Sequence, residues 1–357
     1  MKKIKTKGSQ VIIGEDVFIA LKKTLKAYAS HKKFLLVDEN SFTHCVSEFI
    51  VQTDLTNDIE IIEIESGEEN KTLEICQHIW QTFLDFNADR KTLLINLGGG
   101  VITDLGGFIA STYKRGIDFI NVPTTLLAQI DASVGGKVGI DFNHYKNVIG
   151  VFNEPQLVVI YPYFLKTLNK RQMLSGYAEA LKHGLIADKL YWKMLQAGLL
   201  SDANNWEKLI ETSIEIKNNI VKNDFEEKGE RKKLNFGHTI GHAIESHSLK
   251  HDQLPLLHGE AIAVGMICEA YLSHIKLNLS SKELKEISDT FLIYFNPYPI
   301  NESFFNHYLE LMKNDKKNEN DTYNFTLLKK IGEAEFNHEV SVENIVESLK
   351  YYISITK

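Results

Sequence analysis

A chain of 357 residues can bury a large core and by its length suggests two domains rather than one. Its 43% hydrophobic and 24% charged residues are those of an ordinary soluble globular protein. The formal net charge of -7 argues against general affinity for nucleic acid or for an anionic membrane surface.

Cys45, Cys76 and Cys268 lie far apart without CxxC spacing, and read as reduced, mostly buried thiols of a cytosolic protein. The basic start MKKIKTKGSQ leads only into VIIG, which does not read as a signal peptide. No apolar run approaches the roughly 18 residues of a membrane span.

The first half alternates strand-like and helix-like segments. Residues 34–37, 59–64, 92–97 and 119–122 are short apolar runs. They end in Asp38-Glu39-Asn40, Ser66-Gly67-Glu68, Gly98-Gly99-Gly100 and Pro123-Thr124-Thr125. Helical patterns fill the gaps, as at 17–28 and 72–86. Such runs between helices indicate buried parallel strands and a Rossmann-like α/β domain. Ligands of such sheets bind at the carboxyl ends of the strands.

From Arg171 onward helical periodicity dominates, over 172–186, 191–199, 206–221 and the histidine-bearing stretch 234–266. A hairpin is expected from 323–328 and 332–336. The predicted boundary separates an α/β domain, residues 1–168, from a mainly helical domain, residues 169–357. The cleft between them is the default place for a site.

Three stretches carry candidate chemistry. In LINLGGGVITDLGGFIAST a strand meets three glycines and then a helix, the logic of a dinucleotide phosphate site without the GxGxxG spacing. Acidic partners for ribose hydroxyls lie upstream, at Asp38 and Glu68. If they serve, the strand order departs from the usual Rossmann arrangement, and NAD is favoured over NADP. In VPTTLLAQIDASVGGKVGIDFNHYKNVIGVFN, Lys137, Lys146 and Asn147 flank a glycine turn in a manner suited to phosphate or carboxylate oxygens. In LNFGHTIGHAIESHSLKHDQLPLLHGEAIAVGM, His238 and His242 share one helical face and His258 returns on a second helix, so the three imidazoles are candidate metal ligands. Glu179 and Lys182 share a face in GYAEALKHG, and Glu179 is a candidate oxygen ligand. Arg231 follows the charge run EEKGERKK, whose ordinary reading is a solvated loop.

Several of these motifs together closely resemble the 3-dehydroquinate synthase family: LGGGVITDLGGFIASTYKRG, VPTTLLAQIDASVGGKVGID, KNVIGVF, SGYAEALKHG, LNFGHTIGHAIE, LHGEAIAVGM and Asp315-Lys316-Lys317, in that family's order. The resemblance implies a dehydroquinate synthase-like fold and an enzyme dependent on NAD and on zinc or cobalt. It implies conversion of 3-deoxy-D-arabino-heptulosonate 7-phosphate to 3-dehydroquinate and phosphate, a step of the shikimate pathway. The implied route is transient oxidation, phosphate elimination, reduction, ring opening and aldol closure.

The same resemblance reassigns the histidines. It implies that Glu179, His238 and His258 bind metal and that His242 faces the substrate. NAD is implied to run along Asp38, along Ser66, Gly67, Glu68, Glu69, Asn70 and Lys71, and along Gly100, Val101, Ile102, Thr103 and Asp104. Thr124, Thr125, Lys137, Lys146 and the run Phe164, Leu165, Lys166 and Thr167 complete that set. Asp131, Lys137, Lys182, Lys217, Arg231, Asn235 and His242 are the implied catalytic residues, with Asn147 and Lys316 or Lys317 on the substrate. Arg115 matches a position that reaches a neighbouring subunit's phosphate site, which implies a homodimer. Val138, Tyr145 and Asn169 depart from the family pattern and read as packing variants. The nearest rivals are 2-deoxy-scyllo-inosose synthase, a cyclase of the same superfamily, and metal-dependent polyol dehydrogenases.

Overall fold

A computed structural model describes residues 1–56, 58–143, 145–198, 206–313 and 323–357. The chain divides into two compact units, one of Met1–Asn169 with Trp206–Asn218, the other of Lys170–Asn205 with Asn219–Lys357.

The first unit is built on seven strands: β1 (Lys2–Lys5), β2 (Gln10–Ile13), β3 (Lys33–Asp38), β4 (Glu60–Ile64), β5 (Leu93–Gly98), β6 (Asp118–Pro123) and β9 (Leu157–Ile160). Their order across the sheet is β1-β2-β9-β6-β5-β3-β4, parallel except for the β1–β2 pair. β7 (Lys137–Phe142) and β8 (Tyr145–Phe152) form a separate antiparallel hairpin. Helices α1 (Val17–Leu25), α2 (Glu39–Ser41), α3 (Ser47–Thr53), α4 (Leu73–Asp85) and α5 (Gly100–Thr112) connect them.

Both faces of the sheet are covered. Leu35, Val37, Ile95 and Leu97 pack with Phe18 of α1 and Phe49 of α3. Phe34, Leu36 and Leu94 pack with Ile79 and Phe83 of α4 and with Leu105 and Ile109 of α5. A strand buried on both sides has no polar face, so these strands are almost continuously apolar in sequence, and the one asparagine within β5, Asn96, is paired with Asn121. The chain crosses from β4 back to β5 on the opposite side of β3, so the order reverses between β3 and β5. The crevice at the carboxyl ends of two such strands is where doubly wound sheets bind ligands. Here those ends carry Asp38 and Gly98. β4-β3-β5-β6-β9 is the flavodoxin-like order rather than the classic dinucleotide one.

The second unit contains α6 (Lys170–Ala187), α7 (Lys189–Gln196), α9 (His238–His251), α10 (His258–Leu277), α11 (Ser281–Tyr294), α12 (Phe305–Lys313), α13 (Val342–Thr356) and the hairpin β10 (Tyr323–Lys330)–β11 (Glu333–Val340). Helix α8 (Trp206–Asn223) begins in the first unit's range and ends in the second's. α10 packs against α6, α9, α11, α13 and β10. It is buried on nearly every side, and its low amphipathicity follows from that. Among the described residues no helix is long and apolar enough to cross a membrane.

Candidate active site

In the helical unit the site follows from where three helices touch. α10 starts beside α6 because Gly259 has no side chain: a Cβ there would overlap the main-chain oxygen of Ser175. The Gly259 N–H donates to Ser175 Oγ at 3.0 Å. Arg171 of α6 holds Glu260 with two hydrogen bonds of 2.8 and 2.7 Å, a bidentate clamp that fixes orientation as well as distance. α9 and α10 cross at glycines, since a Cβ on Gly265 would overlap the carbonyl of Gly237. The buried Glu269 of α10 accepts the main-chain N–H groups of Gly237 (2.6 Å) and Ile240 (3.3 Å). This caps α9 from outside its own sequence.

These contacts converge Glu179 of α6, His238 of α9 and His258 of α10. One ligand atom of each lies within 4.8 Å of the others. Glu179 is fully buried. Its Oε1 lies 3.8 Å from His238 Nε2 and 3.7 Å from His258 Nε2. Nδ1 of His238 is 3.0 Å from the carbonyl of Phe236. A carbonyl only accepts, so Nδ1 carries the proton and Nε2 presents its lone pair toward Glu179. One carboxylate and two imidazoles so arranged suit zinc or cobalt with open positions for substrate.

His242 stands one turn on, its ring 5.1 Å from that of His238 and 5.9 Å from that of His258. Lys182 is buried and donates to Glu179 Oε2. Arg231 is buried as well, which corrects the solvated-charge reading. Asp224 accepts the main-chain N–H groups of Lys228 (2.9 Å), Gly229 (2.6 Å) and Arg231 (3.0 Å), and the guanidinium donates to the Phe225 carbonyl at 2.6 Å. Asn235 donates to Glu227 Oε1 at 2.7 Å. Lys316 and Lys317 lie outside the described residues.

Two acidic residues escape the sequence reading here. Glu245 of α9 places Oε2 3.4 Å from His258 Nδ1. Burial lowers the pKa of His258, but the carboxylates of Glu245 and Glu179 more than reverse this and push it up to about 10. Glu245 lies three residues past His242, so a helical wheel would have placed it on the same face. Glu269 has no comparable local signal.

In the α/β unit, β5 ends in Gly98 and α5 begins at Gly100 with Gly99 as its N-cap. A Cβ on Gly100 would meet only Ala132, at 3.4 Å, so the first turn of α5 presents bare main-chain N–H groups and the positive end of its dipole. Thr124 N–H donates to the Gly98 carbonyl at 2.9 Å, and Thr125 borders Gly99. Asp38 ends β3 and caps α2 through Ser41.

Lys71 is buried, with Nζ 2.7 Å from Asp104 and 2.6 Å from Asn147 Oδ1. Burial lowers its pKa, but Asp104 and Glu68 outweigh this and raise it, so it stays charged. Lys146 lies 3.9 Å from Glu68. Asp141, also missed in the sequence, accepts the Asn147 N–H at 2.7 Å and donates its own N–H to the Lys71 carbonyl. Lys217 is buried and pairs with Asp131 at 2.7 Å, and also donates to its carbonyl at 2.6 Å. Ser66–Lys71 and Phe164–Thr167 follow β4 and β9 as short turns of helix and flanking loop. Lys137 opens β7 and is exposed; Arg115 is exposed with φ of 70° in the turn before β6. Val138 is buried against Gly107 of α5, a packing role.

The model of the 3-dehydroquinate synthase N-terminal domain matches residues 61–175, and that of the C-terminal domain matches residues 176–318. The 3-dehydroquinate synthase of Parabacteroides distasonis is 40% identical over 345 residues, covering 96% of this chain and 97% of that protein. Among solved structures, 2-epi-5-epi-valiolone synthase from Streptomyces hygroscopicus with NAD+ and Zn2+ bound superposes with a TM-score of 0.84 at 25% identity, covering 99% of each chain. A 2-deoxy-scyllo-inosose synthase complexed with carbaglucose-6-phosphate, NAD+ and Co2+ has a TM-score of 0.87 at 22% identity, covering 98% of this chain and 100% of that one, a likeness of fold.

Proposed function

The chain belongs to the 3-dehydroquinate synthase family, and we propose from that premise that it converts 3-deoxy-D-arabino-heptulosonate 7-phosphate to 3-dehydroquinate and phosphate with its own residues in the following roles. The observation that carries the reading is the Glu179–His238–His258 cluster around the buried Glu179 carboxylate in a chain that aligns almost end to end with a relative of that name.

Glu179, His238 and His258 would hold zinc or cobalt, and the β3 and β5 ends with Ser66–Lys71 and the first turn of α5 would hold NAD. When bound, NAD supplies reversible hydride transfer and the metal polarises the carbon–oxygen bond being oxidised. Gly100, Val101 and Ile102 offer main-chain N–H groups to the pyrophosphate, with Thr103 and Asp104 beside them, and Asp38 accepts from a ribose hydroxyl. Thr124, Thr125, Lys137, Lys146 and Phe164 to Thr167 complete the nucleotide's surroundings.

In the helical unit Lys182 balances the buried charge of Glu179 and is placed to donate to a substrate oxygen beside the metal. His242 faces the substrate and relays the proton of the hydroxyl being oxidised. Arg231 and Asn235 take substrate oxygens, the guanidinium held in place by the turn that Asp224 closes. In the α/β unit Asp131 orients a substrate hydroxyl, with Lys217 fixing its carboxylate, and Lys137 and Asn147 contact substrate, as does a lysine of Lys316 and Lys317. Cations of this kind suit a doubly anionic substrate in a chain of net negative charge. The protein's part is orientation and charge stabilisation.

Arg115 lies on an exposed turn and is assigned to the phosphate site of a second copy in a homodimer. The residues 1–168 and 169–357 act as the nucleotide and the metal domain. Three buried free thiols support a cytoplasmic setting.

Purified protein supplied with zinc or cobalt and a catalytic amount of NAD is expected to release phosphate from the heptulosonate phosphate. Turnover of glucose 6-phosphate instead, or net accumulation of NADH, would overturn the assignment.

A further inference from the structure

Three histidines of the helical unit have no part in the roles above. His247 and His251 sit one turn apart at the C-terminal end of α9. α12 packs against α9 and carries His307. The rings of His247 and His251 stack with centroids 4.3 Å apart. The ring of His307 lies 5.4 Å from the first and 5.7 Å from the second. One nitrogen of each comes within 4.8 Å of the other two.

Aromatic packing accounts for part of this, because Phe304 and Tyr308 also lie against His247, at 4.6 and 5.0 Å. Two features go beyond packing. Nδ1 of His251 is 2.8 Å from the carbonyl of His247. That nitrogen must carry the proton, so Nε2 presents a lone pair, and the ring is oriented as metal-bound imidazoles are. Nδ1 of the buried His247 has no hydrogen-bond partner among the described residues. A buried ring nitrogen costs free energy unless a ligand satisfies it. Burial, then the neighbouring His251 and His307, hold the His247 imidazole below its ordinary pKa, against an opposing effect of Asp252.

We propose that His247, His251 and His307 form a second metal site that takes a borderline divalent transition ion and pins α12 to the end of α9. Three imidazoles without a carboxylate select zinc, copper, nickel or cobalt over magnesium or calcium, which take oxygen ligands. His251 is exposed and His307 half-buried, so the ion enters from solvent. The site is distinct from the Glu179 centre. His247 follows His238 by nine residues on α9, about 14 Å along the helix axis, and the two sets share no ligand.

The experiment is zinc content per chain after loading with zinc alone and desalting. Wild type is expected to retain two ions. The double variant His251→Asn/His307→Asn, altered only at accessible side chains, is expected to retain one, with phosphate release within about twofold of wild type. Glu179→Gln, which weakens the other centre, is expected to keep the ion at the three histidines. A single zinc in the wild type, or two in the double variant, overturns the proposal. Cobalt titration of the wild type tests the same point without mutation: two saturable visible-absorption steps are expected, and one step overturns it. Both readouts stand apart from turnover, so a failure of the substrate assignment leaves this test intact.

Discussion

Glu245 Oε2 lies 3.4 Å from Nδ1 of His258, while Glu179 Oε1 lies 3.7 Å from Nε2 of the same ring. The imidazole is thus held between two carboxylates. One is a candidate metal ligand and the other fixes which nitrogen faces it. A carboxylate behind a ligating histidine sets its orientation and basicity, and losing it costs about 10–100-fold in metal affinity or activity. Glu245→Gln is expected to fall in that range for zinc affinity, measured by competition with a chelator. An unchanged zinc affinity would remove Glu245 from the metal's support.

The split between the helical pair is tested by metal content. His238 and His258 each aim Nε2 at Glu179, whereas His242 is assigned to the substrate. His258→Ala is expected to lose one metal ion per chain, the one at Glu179, and His242→Ala to keep it while losing at least about 100-fold in turnover, the scale of a lost proton-transfer group. If both variants lose metal alike, the ligand assignment is wrong.

In the metal-free chain His258 has its pKa pushed up to about 10 by Glu245 and Glu179 against the effect of burial. Unfolded, the same group titrates near 6.5. The raised value means the charged imidazole stabilises the fold fully below about pH 6.5, and that this contribution is lost as pH rises through about 10. The Tm of the metal-free protein is expected to fall across that window. Metal binding needs the neutral ring, so it expels the proton and its affinity rises by about tenfold per pH unit over the same range. Calorimetric zinc titrations at pH 7.5 in two buffers of different ionisation enthalpy should show about one proton released per chain. No release would contradict the charged state of His258.

Strands β3, β5 and β6 stand out in the sequence because cover on both faces makes them mostly apolar, the buried Asn96 and Asn121 excepted, which hydrogen-bond to each other at 2.9 Å. The hairpin β7–β8 does not, since Gly139 faces Gly150 across it and the surrounding Lys137, Lys146 and Asn147 read as a ligand loop. The pairs His238–His242 and Glu179–Lys182 are legible because helical spacing is local, whereas grouping Glu179, His238 and His258 from three helices comes only from the family resemblance. The burial of Arg231 is not legible, because it depends on Asp224 gathering three main-chain N–H groups in a turn within a run that looks solvated. Glu269 caps a helix other than its own, a relation made only by the α9–α10 crossing.

That crossing, and the neighbouring contact of α10 with α6, depend on missing side chains. Gly259→Ala would drive a Cβ into the main-chain oxygen of Ser175. No rotamer relieves a clash between backbones, so α10 must move away from α6, and His258 with it. A loss of about 1–3 kcal/mol in stability is expected, with zinc affinity falling in parallel. A variant with wild-type Tm and wild-type zinc affinity would show that this contact does not set the ligand geometry.

Lys71 offers the corresponding test in the α/β unit. Its ammonium is buried between Asp104 and Asn147, with Glu68 at 3.9 Å. Lys71→Met removes the cation while the carboxylates remain, and an uncompensated charge in such a place costs about 3–5 kcal/mol. The lower end is expected, because Asp104 keeps some exposure and Lys217 still acts on it. NAD affinity should fall at least about tenfold, since the same residues follow β4 and open α5. Adding Asp104→Asn to Lys71→Met removes a stranded charge and should recover part of the lost stability. The two changes are therefore expected to be less harmful together than the sum of each alone. Chemical denaturation of the four proteins reads the coupling, and additive losses would mean that the Lys71–Asp104 pair contributes nothing beyond its separate side chains.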